Sequence, residues 1–219
     1  MNNHQSSSSN TKIIIVGPGG IGKSTFIQYY VNGKYLVNPN STVLCDFFVK
    51  QVKYKNEHLR LEIWDTAGQP KFQNLISQFY RNTSAAILAF DVNNIDSLRQ
   101  LDFYFNDLNN QLGQDVIKVI ISTRCDLKGM KYDEKNNPIK AVSDEEINQY
   151  VKEKGLKYFE TSSKADIGVK DTFNYIIEEI LKKQSLIGAD NTPKNNISLI
   201  DQSQKQTSQQ PNQKECCSS

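Results

Sequence analysis

Cysteine is scarce in this chain of 219 residues, and two of its four cysteines stand together at the carboxy-terminal end. Cys45 and Cys125 lie far apart in apolar or mixed surroundings, which suits neither a disulfide framework nor a zinc site, and both read as reduced thiols. No apolar run approaches the length of a membrane-spanning helix. The opening "MNNHQSSSSN" lacks the basic and apolar segments of a secretory signal. A cytosolic chain is therefore expected, and the Asn-x-Ser/Thr triplets at Asn40, Asn82 and Asn196 then read as chance matches. Neither sign of charge is in excess: the formal net charge of +2 gives no bulk attraction to nucleic acid, and no nucleic-acid partner is expected. Residues 1–11 and 184–219 are polar and poor in aromatics, too poor in apolar area to stay folded. The expected globular domain is 12–183.

Within that domain apolar runs alternate with helical patterns. Strands are expected at 12–17, 43–53, 58–65, 85–91, 116–122 and 157–161, and helices at 23–31, 95–112, 143–154 and 168–183. The strands at 43–65 meet near Lys55 and Asn56 and read as a hairpin, so one edge strand is expected to be antiparallel. The implied class is α/β: a three-layer sandwich with a mostly parallel six-stranded sheet and helices on both faces.

The densest signal is "KIIIVGPGGIGKSTF" at 12–26. A β-branched run, Ile13, Ile14, Ile15 and Val16, enters a glycine cluster that matches G-x-x-x-x-G-K-[ST] between a strand and a helix, the context of a phosphate loop. Gly17, Pro18, Gly19, Gly20, Ile21 and Gly22, with Lys23, Ser24 and Thr25, form the expected phosphate-binding set. Lys23 is expected to reach the β and γ oxygens and the Ser24 hydroxyl to ligate Mg²⁺. Further along, "LRLEIWDTAGQPKF" sets Asp65 at a strand end and Gly68 three residues on, where a carboxylate holds a water on the metal and a glycine lets the chain approach the terminal phosphate.

With "FYRNTSA", "FDVNNIDSL" and "YFETSSK", these stretches make the chain resemble the small Ras-like GTPases, and among them the Rab branch, over roughly 12–183 and again at the carboxy terminus. The resemblance implies a P-loop NTPase fold and a switch that binds GTP or GDP with Mg²⁺ and hydrolyses GTP. By the same resemblance Thr42 corresponds to the effector-loop threonine that binds Mg²⁺, Tyr35 to the aromatic beside the guanine, and Gln69 to the residue that orients the attacking water. Gln69, Lys23 and Gly68 are thus the expected catalytic set. Gly19 corresponds to a loop glycine where a side chain crowds that glutamine. Asp126 is expected to accept from the guanine, and Ser162, Ser163 and Lys164 to close the base pocket. Trp64 is assigned to core packing and His58 to a solvated hairpin position.

Three departures stand out. The guanine motif reads Thr123-Arg124-Cys125-Asp126, so a hydroxyl replaces an amide and a guanidinium, expected to cover the base, replaces an ammonium. Pro70 follows Gln69 and disfavours helical geometry there, which either holds the glutamine away from the water or preorganises it. "KGMKYDEKNNPIK" at 128–140 is longer than the usual Rab connection and reads as a polar surface loop. The ending "KECCSS" resembles the Rab double-prenylation motif at Cys216 and Cys217, and with no basic patch in the tail, two lipids rather than one suit stable anchoring. The resemblance implies an exchange factor, a GTPase-activating protein, a GDP-dissociation inhibitor, a prenyltransferase with its escort protein, and effectors bound through the two switch loops. It also implies the cytosolic face of a membrane, with a cytosolic pool. A nucleotide-bound scaffold that hydrolyses almost nothing is the alternative that Pro70 and the altered motif keep open; an ATP-using phosphoryl transferase lacks a lid-like arginine cluster.

Overall fold

Continuous β-branched residues place strand β1 (Asn10–Val16) at the centre of the molecule, with Ile13, Ile14, Ile15 and Val16 fully buried. The computed structural model describes residues 10–37, 40–130 and 141–190, with side chains in the last helix through Leu186. Beside β1 lie β2 (Cys45–Tyr54), β3 (Glu57–Thr66), β4 (Ala85–Asp91), β5 (Ile117–Thr123) and β6 (Lys157–Glu160). Their spatial order is β2-β3-β1-β4-β5-β6, with β2 antiparallel to β3 and every other pairing parallel. Tyr54 pairs with Glu57 across the turn at Lys55 and Asn56, as the hairpin reading expects.

The helices are α1 (Lys23–Asn32), α2 (Gln73–Ile76), α3 (Ile95–Arg99), α4 (Leu101–Leu112), α5 (Asp144–Lys154) and α6 (Val169–Asp190). α1 and α6 cover one face of the sheet, where Phe26, Ile27, Phe173 and Ile177 pack on Ile13, Ile15, Leu61 and Ile63. On the opposite face Ile76, Leu101, Tyr104 and Leu108 pack on Ile14, Val16, Leu88 and Phe90. This is the three-layer arrangement the alternating pattern implies. Because the sheet is parallel around β1, the carboxyl ends of β1, β3, β4 and β5 open on one edge, where the chain leaves β1 to neighbours on either side.

Several boundaries differ from expectation. β1 begins at Asn10, inside the stretch assigned to the amino-terminal extension, since Asn10 and Thr11 pair in register with Arg60 and Leu61 and ladder bonds need no apolar side chains. α6 runs past 183 to Asp190; Lys182 pairs with Glu178 and Glu179, and such one-turn pairs sustain a polar helical stretch. The single helix expected at 95–112 is divided at Gln100. Buried Leu98 and Leu101, three apart, suit the tighter turn there. The helical segment after Gln69 was not expected: a 3₁₀ turn (Pro70–Phe72), α2 and a second 3₁₀ turn (Ser77–Phe79), opened by proline in the position helices tolerate. Residues 1–9, most of the 128–140 segment, the tail beyond α6 and both Cys216 and Cys217 lie outside the described residues.

Candidate functional site

A cavity of about 450 Å³ opens at the carboxyl edge of the sheet, lined among others by Gly19, Gly20, Gly22, Lys23, Ser24, Thr25, Tyr35, Thr42, Gly68, Gln69, Thr123, Arg124, Asp126, Ser162, Ser163 and Lys164. Of the residues expected from sequence, Gly17, Pro18, Ile21 and Asp65 are outside this lining. Ile21 is a core residue, and its side chain belongs to packing. Gly17 has φ +144°, and a Cβ there would lie 2.3 Å from the Ala89 carbonyl oxygen: glycine is required by the close approach of β4.

The phosphate loop is shaped by tethers on its carbonyls. Lys23 Nζ donates to Gly17 O at 2.8 Å and Pro18 O at 2.7 Å. Arg124 Nη2 donates to Gly20 O at 2.7 Å, and Thr123 Oγ1 stands 2.5 Å from Ile21 O and 3.0 Å from Phe90 O. Gly22 O accepts the Phe26 N–H as α1 begins. In a trans peptide the N–H points opposite to the carbonyl, so carbonyls pinned to the protein turn the following N–H groups of Gly19, Ile21 and Gly22 the other way, the makings of an anion nest. α1 starts at Gly22 with no capping side chain and no acidic residue in its first turn, leaving donors and positive helix-end potential toward the cavity. Burial pulls the Lys23 ammonium down to about 8, against the opposing effect of Asp65. An anion in the cavity would raise it again.

The metal set expected from sequence is assembled. Ser24 Oγ lies 2.8 Å from Thr42 Oγ1, which donates to Asp65 Oδ2 at 3.1 Å. Asp65 is fully buried and its Oδ1 has no hydrogen-bond partner. Burial raises its pKa, against the neighbouring Ser24 hydroxyl, Lys23 ammonium and Thr42 hydroxyl. A buried carboxylate with a spare oxygen beside two hydroxyls is a hard-oxygen donor set that suits Mg²⁺ completed by phosphate and water. Cys45 is no competitor, since burial first and Asp65 next push its thiol up to about 12.

Gly68 sits directly on the phosphate loop: a Cβ there would be 2.3 Å from the Pro18 carbonyl carbon and 2.4 Å from Gly19 N. At Gly19, by contrast, a Cβ would meet Gly68 C and O at 3.5 Å and Gln69 N at 3.7 Å, ordinary contact, so crowding begins only with a longer side chain. Gln69 is extended, with φ −74° and ψ 137°, the geometry Pro70 imposes on its predecessor.

At the base end, Ser162 Oγ donates to Asp126 Oδ1 at 2.6 Å and accepts the Ala165 N–H at 3.0 Å. Ser162 thereby aims the carboxylate. Thr123 bridges the base end to the phosphate loop through its hydroxyl on Ile21 O. Arg124 lines the cavity and has partners that its motif does not signal: its guanidinium is engaged by Asp91 Oδ2 at 2.6 Å as well as by Gly20 O. Sequence reasoning treated Asp91 as part of a core strand, because nothing local to "FDVNN" signals a partner 33 residues away. Trp64 too is less buried than expected, lying between Phe47 and Phe79 with ring centroids 5.0 and 5.8 Å away. His58 is exposed, as expected of a hairpin residue.

The Ras family model matches residues 12–182. The chain belongs to the Ras family. Similar proteins include the GTP-binding protein YPTC5 of Chlamydomonas reinhardtii, 34% identical over 177 residues, which cover 79% of this chain and 83% of that one. Another is the Ras-related protein Rab7 of Cenchrus ciliaris, 34% identical over 178 residues with the same two coverages. A third is the Ras-related protein RABG3b of Arabidopsis thaliana, 35% identical over 167 residues, 74% of this chain and 79% of that one. The chain is a Rab-like small GTPase of the vesicle-traffic branch, a GTP hydrolase. Ras-family GTPases bind GTP and GDP, typically with Mg²⁺, and work with regulators and effectors.

Ser162→Ala removes the hydrogen bond that aims Asp126, and losing a bond to a charged group costs about 1.5–3 kcal/mol. GDP affinity measured by fluorescence titration is expected to fall at least tenfold while GTP remains preferred over ATP; affinity unchanged within twofold would show that Asp126 needs no such support.

Proposed function

We propose that this chain is a membrane-anchored switch whose two loops close on the terminal phosphate of Mg²⁺-bound GTP and are released when that phosphate is cleaved. The observation that supports it is convergence: Thr42 from the segment before β2 and Gly68 from the segment after β3 both abut the phosphate loop, one at Ser24 and the other at Pro18 and Gly19. The loops are also tied to one another, by the Ala67 N–H to Leu44 O at 2.9 Å. A ligand that engages either one thus acts on both.

In this reading the N–H groups of the phosphate loop and Lys23 hold the phosphates, while Asp126, aimed by Ser162, selects guanine, with Tyr35, Ser163 and Lys164 walling the base. Ser24 and Thr42 would ligate Mg²⁺ directly and Asp65 through water; the ion when bound would offset negative charge on the β and γ oxygens. Gln69 would orient the attacking water, with Gly68 offering its N–H to the terminal phosphate. Pro70 fixes Gln69 in an extended geometry, which favours slow intrinsic hydrolysis and dependence on an activating protein. Effectors would read the exposed aromatic surface where Phe47, Trp64 and Phe79 join the two loop regions. An exchange factor, a GDP-dissociation inhibitor and a prenyltransferase with its escort protein complete the cycle. Among the described residues no helix is long and apolar enough to cross a membrane. The tail would hold the protein to a cytosolic membrane face through prenylated Cys216 and Cys217.

Limited proteolysis tests the switch. Protein loaded with a non-cleavable GTP analogue and Mg²⁺ is expected to resist cleavage at 34–44 and 66–80 more than the GDP form, and identical digestion patterns would sink the reading. Single-turnover GTP cleavage tests the proline: Pro70→Glu is expected to be faster by about tenfold, a barrier change of about 1.4 kcal/mol, whereas equal rates would remove Pro70 from the account of slow hydrolysis. Mass spectrometry of the carboxy-terminal peptide from cells is expected to find a prenyl group on each of Cys216 and Cys217; free thiols on both would refute the anchor.

A further inference from the structure

Asp91 ends β4 with its side chain only 4% exposed, and it does not line the nucleotide cavity. Its two oxygens nevertheless serve both halves of the site. Oδ2 accepts from Arg124 Nη1 at 2.6 Å, and the same guanidinium donates through Nη2 to Gly20 O at 2.7 Å. Oδ1 accepts the Asn93 N–H at 2.9 Å. Asn93 in turn donates to Leu127 O at 2.6 Å and accepts the Gly129 N–H at 2.8 Å, gripping the chain on the far side of Asp126. One buried carboxylate therefore stands behind the loop that would read the base and, through Arg124, behind the loop that would hold the phosphates.

We propose that Asp91 is a positioning residue that sets how long a nucleotide stays bound, acting through Arg124 on the Gly20 carbonyl. The inference rests on the reading of the cavity as a guanine-nucleotide site. Its physical basis is the planar peptide: holding the Gly20 carbonyl toward Arg124 turns the Ile21 N–H the opposite way, into the hollow of the loop. Gly20, at φ +74°, brings no side-chain resistance to its own side of that peptide, so the tether on its carbonyl helps to set the orientation. Arg124 suits a two-point tether because its planar fork presents separate N–H groups at fixed angles, where a lysine offers one ammonium. Arg124 itself has φ +60°, an uncommon backbone for a side chain of its size, and its side chain is 37% exposed. Without the Asp91 charge the guanidinium has solvent available to it and only one neutral acceptor to hold it back.

The test is the release of fluorescent GDP from the full-length, Mg²⁺-loaded protein, chased with excess unlabelled GDP, in wild type, D91N, R124A and D91N/R124A. Asn at 91 keeps an oxygen for the Asn93 N–H but no charge for Arg124, which separates the two arms of the hub. D91N is expected to release GDP about tenfold faster than wild type, and R124A at least as fast as D91N. In the R124A background the D91N change is expected to add less than twofold, and competition by GTP over ATP is expected to be unaltered, since Asp126 is intact. Release by D91N within twofold of wild type overturns the proposal. So does equal acceleration by D91N in both backgrounds, which would place the effect in the Asn93 turn or in general stability. Should D91N not fold, R124Q carries the decision: faster release supports the tether, and release within twofold of wild type overturns it. A wild-type protein that retains no fluorescent GDP would overturn the nucleotide reading and this proposal with it.

Discussion

A loop made mostly of glycine cannot hold its own shape, and the whole site depends on how this one is held. Each tether runs from a side chain to a carbonyl oxygen: Lys23, at the end of the motif, to Gly17 and Pro18, Arg124 to Gly20, Thr123 to Ile21. The arrangement resolves a conflict in the sequence. Glycine is needed so that β4 can approach at Gly17 and Gly68 can lie on Pro18 and Gly19, yet glycine also carries the largest backbone entropy to be lost on ordering. Anchoring carbonyls restrains the backbone without placing any side chain in the hollow, and it turns the N–H groups of Gly19, Ile21 and Gly22 toward it.

The parts of this site that were legible in the sequence are those in which chemistry is local. A buried strand, a glycine cluster, Lys23 and Ser24 are contiguous, and the effect of Pro70 on Gln69 acts across one peptide bond, so both could be read directly. The helical segment after Pro70 was also within reach, because Phe72, Leu75, Ile76 and Phe79 fall at helical spacing; attention to the proline as a constraint on Gln69 hid its other meaning as a helix opener. What escaped was set by tertiary contact. The acceptors that hold Arg124 are a charge on β4 and a carbonyl in the phosphate loop. Neither lies near it in sequence. Trp64 was assigned to the core on alternation alone, which does not distinguish a sheet centre from the margin where two loops meet.

The same geography explains how two loops of unrelated sequence would act as one device in the proposed switch. β3 carries Asp65 at its end, pairs with β2 at Cys45, and leads into Gly68, so the metal-holding carboxylate, the start of the effector segment and the glycine on the phosphate loop all hang from one strand terminus. Thr42 ties the first loop to Ser24 and to buried Asp65, residues that would together hold a cation in the proposed switch. Gly68 ties the second, because only a residue without Cβ reaches Pro18 and Gly19. These are separate contacts, and the bond from Ala67 to Leu44 joins them. In the proposed switch, loss of the terminal phosphate would remove an anchor from each at once, which would make the response discrete rather than graded.

The fate of Arg124 also bears on hydrolysis. Charge that develops on the phosphoryl group in the transition state is best met by a guanidinium with free N–H groups facing it. Among the described residues Arg124 is the only arginine lining the cavity, and both ends of its fork are engaged, one by Asp91 and one by Gly20. Moving it to the phosphate would release the Gly20 carbonyl and disturb the donors that hold the substrate. Structural and catalytic duties therefore compete for one side chain, and the structure assigns it to the former. Lys23 supplies a positive charge, but its Nζ is engaged by the Gly17 and Pro18 carbonyls. In the proposed cycle a second protein that reaches the open side of the cavity would supply the further cation, beside the extended Gln69.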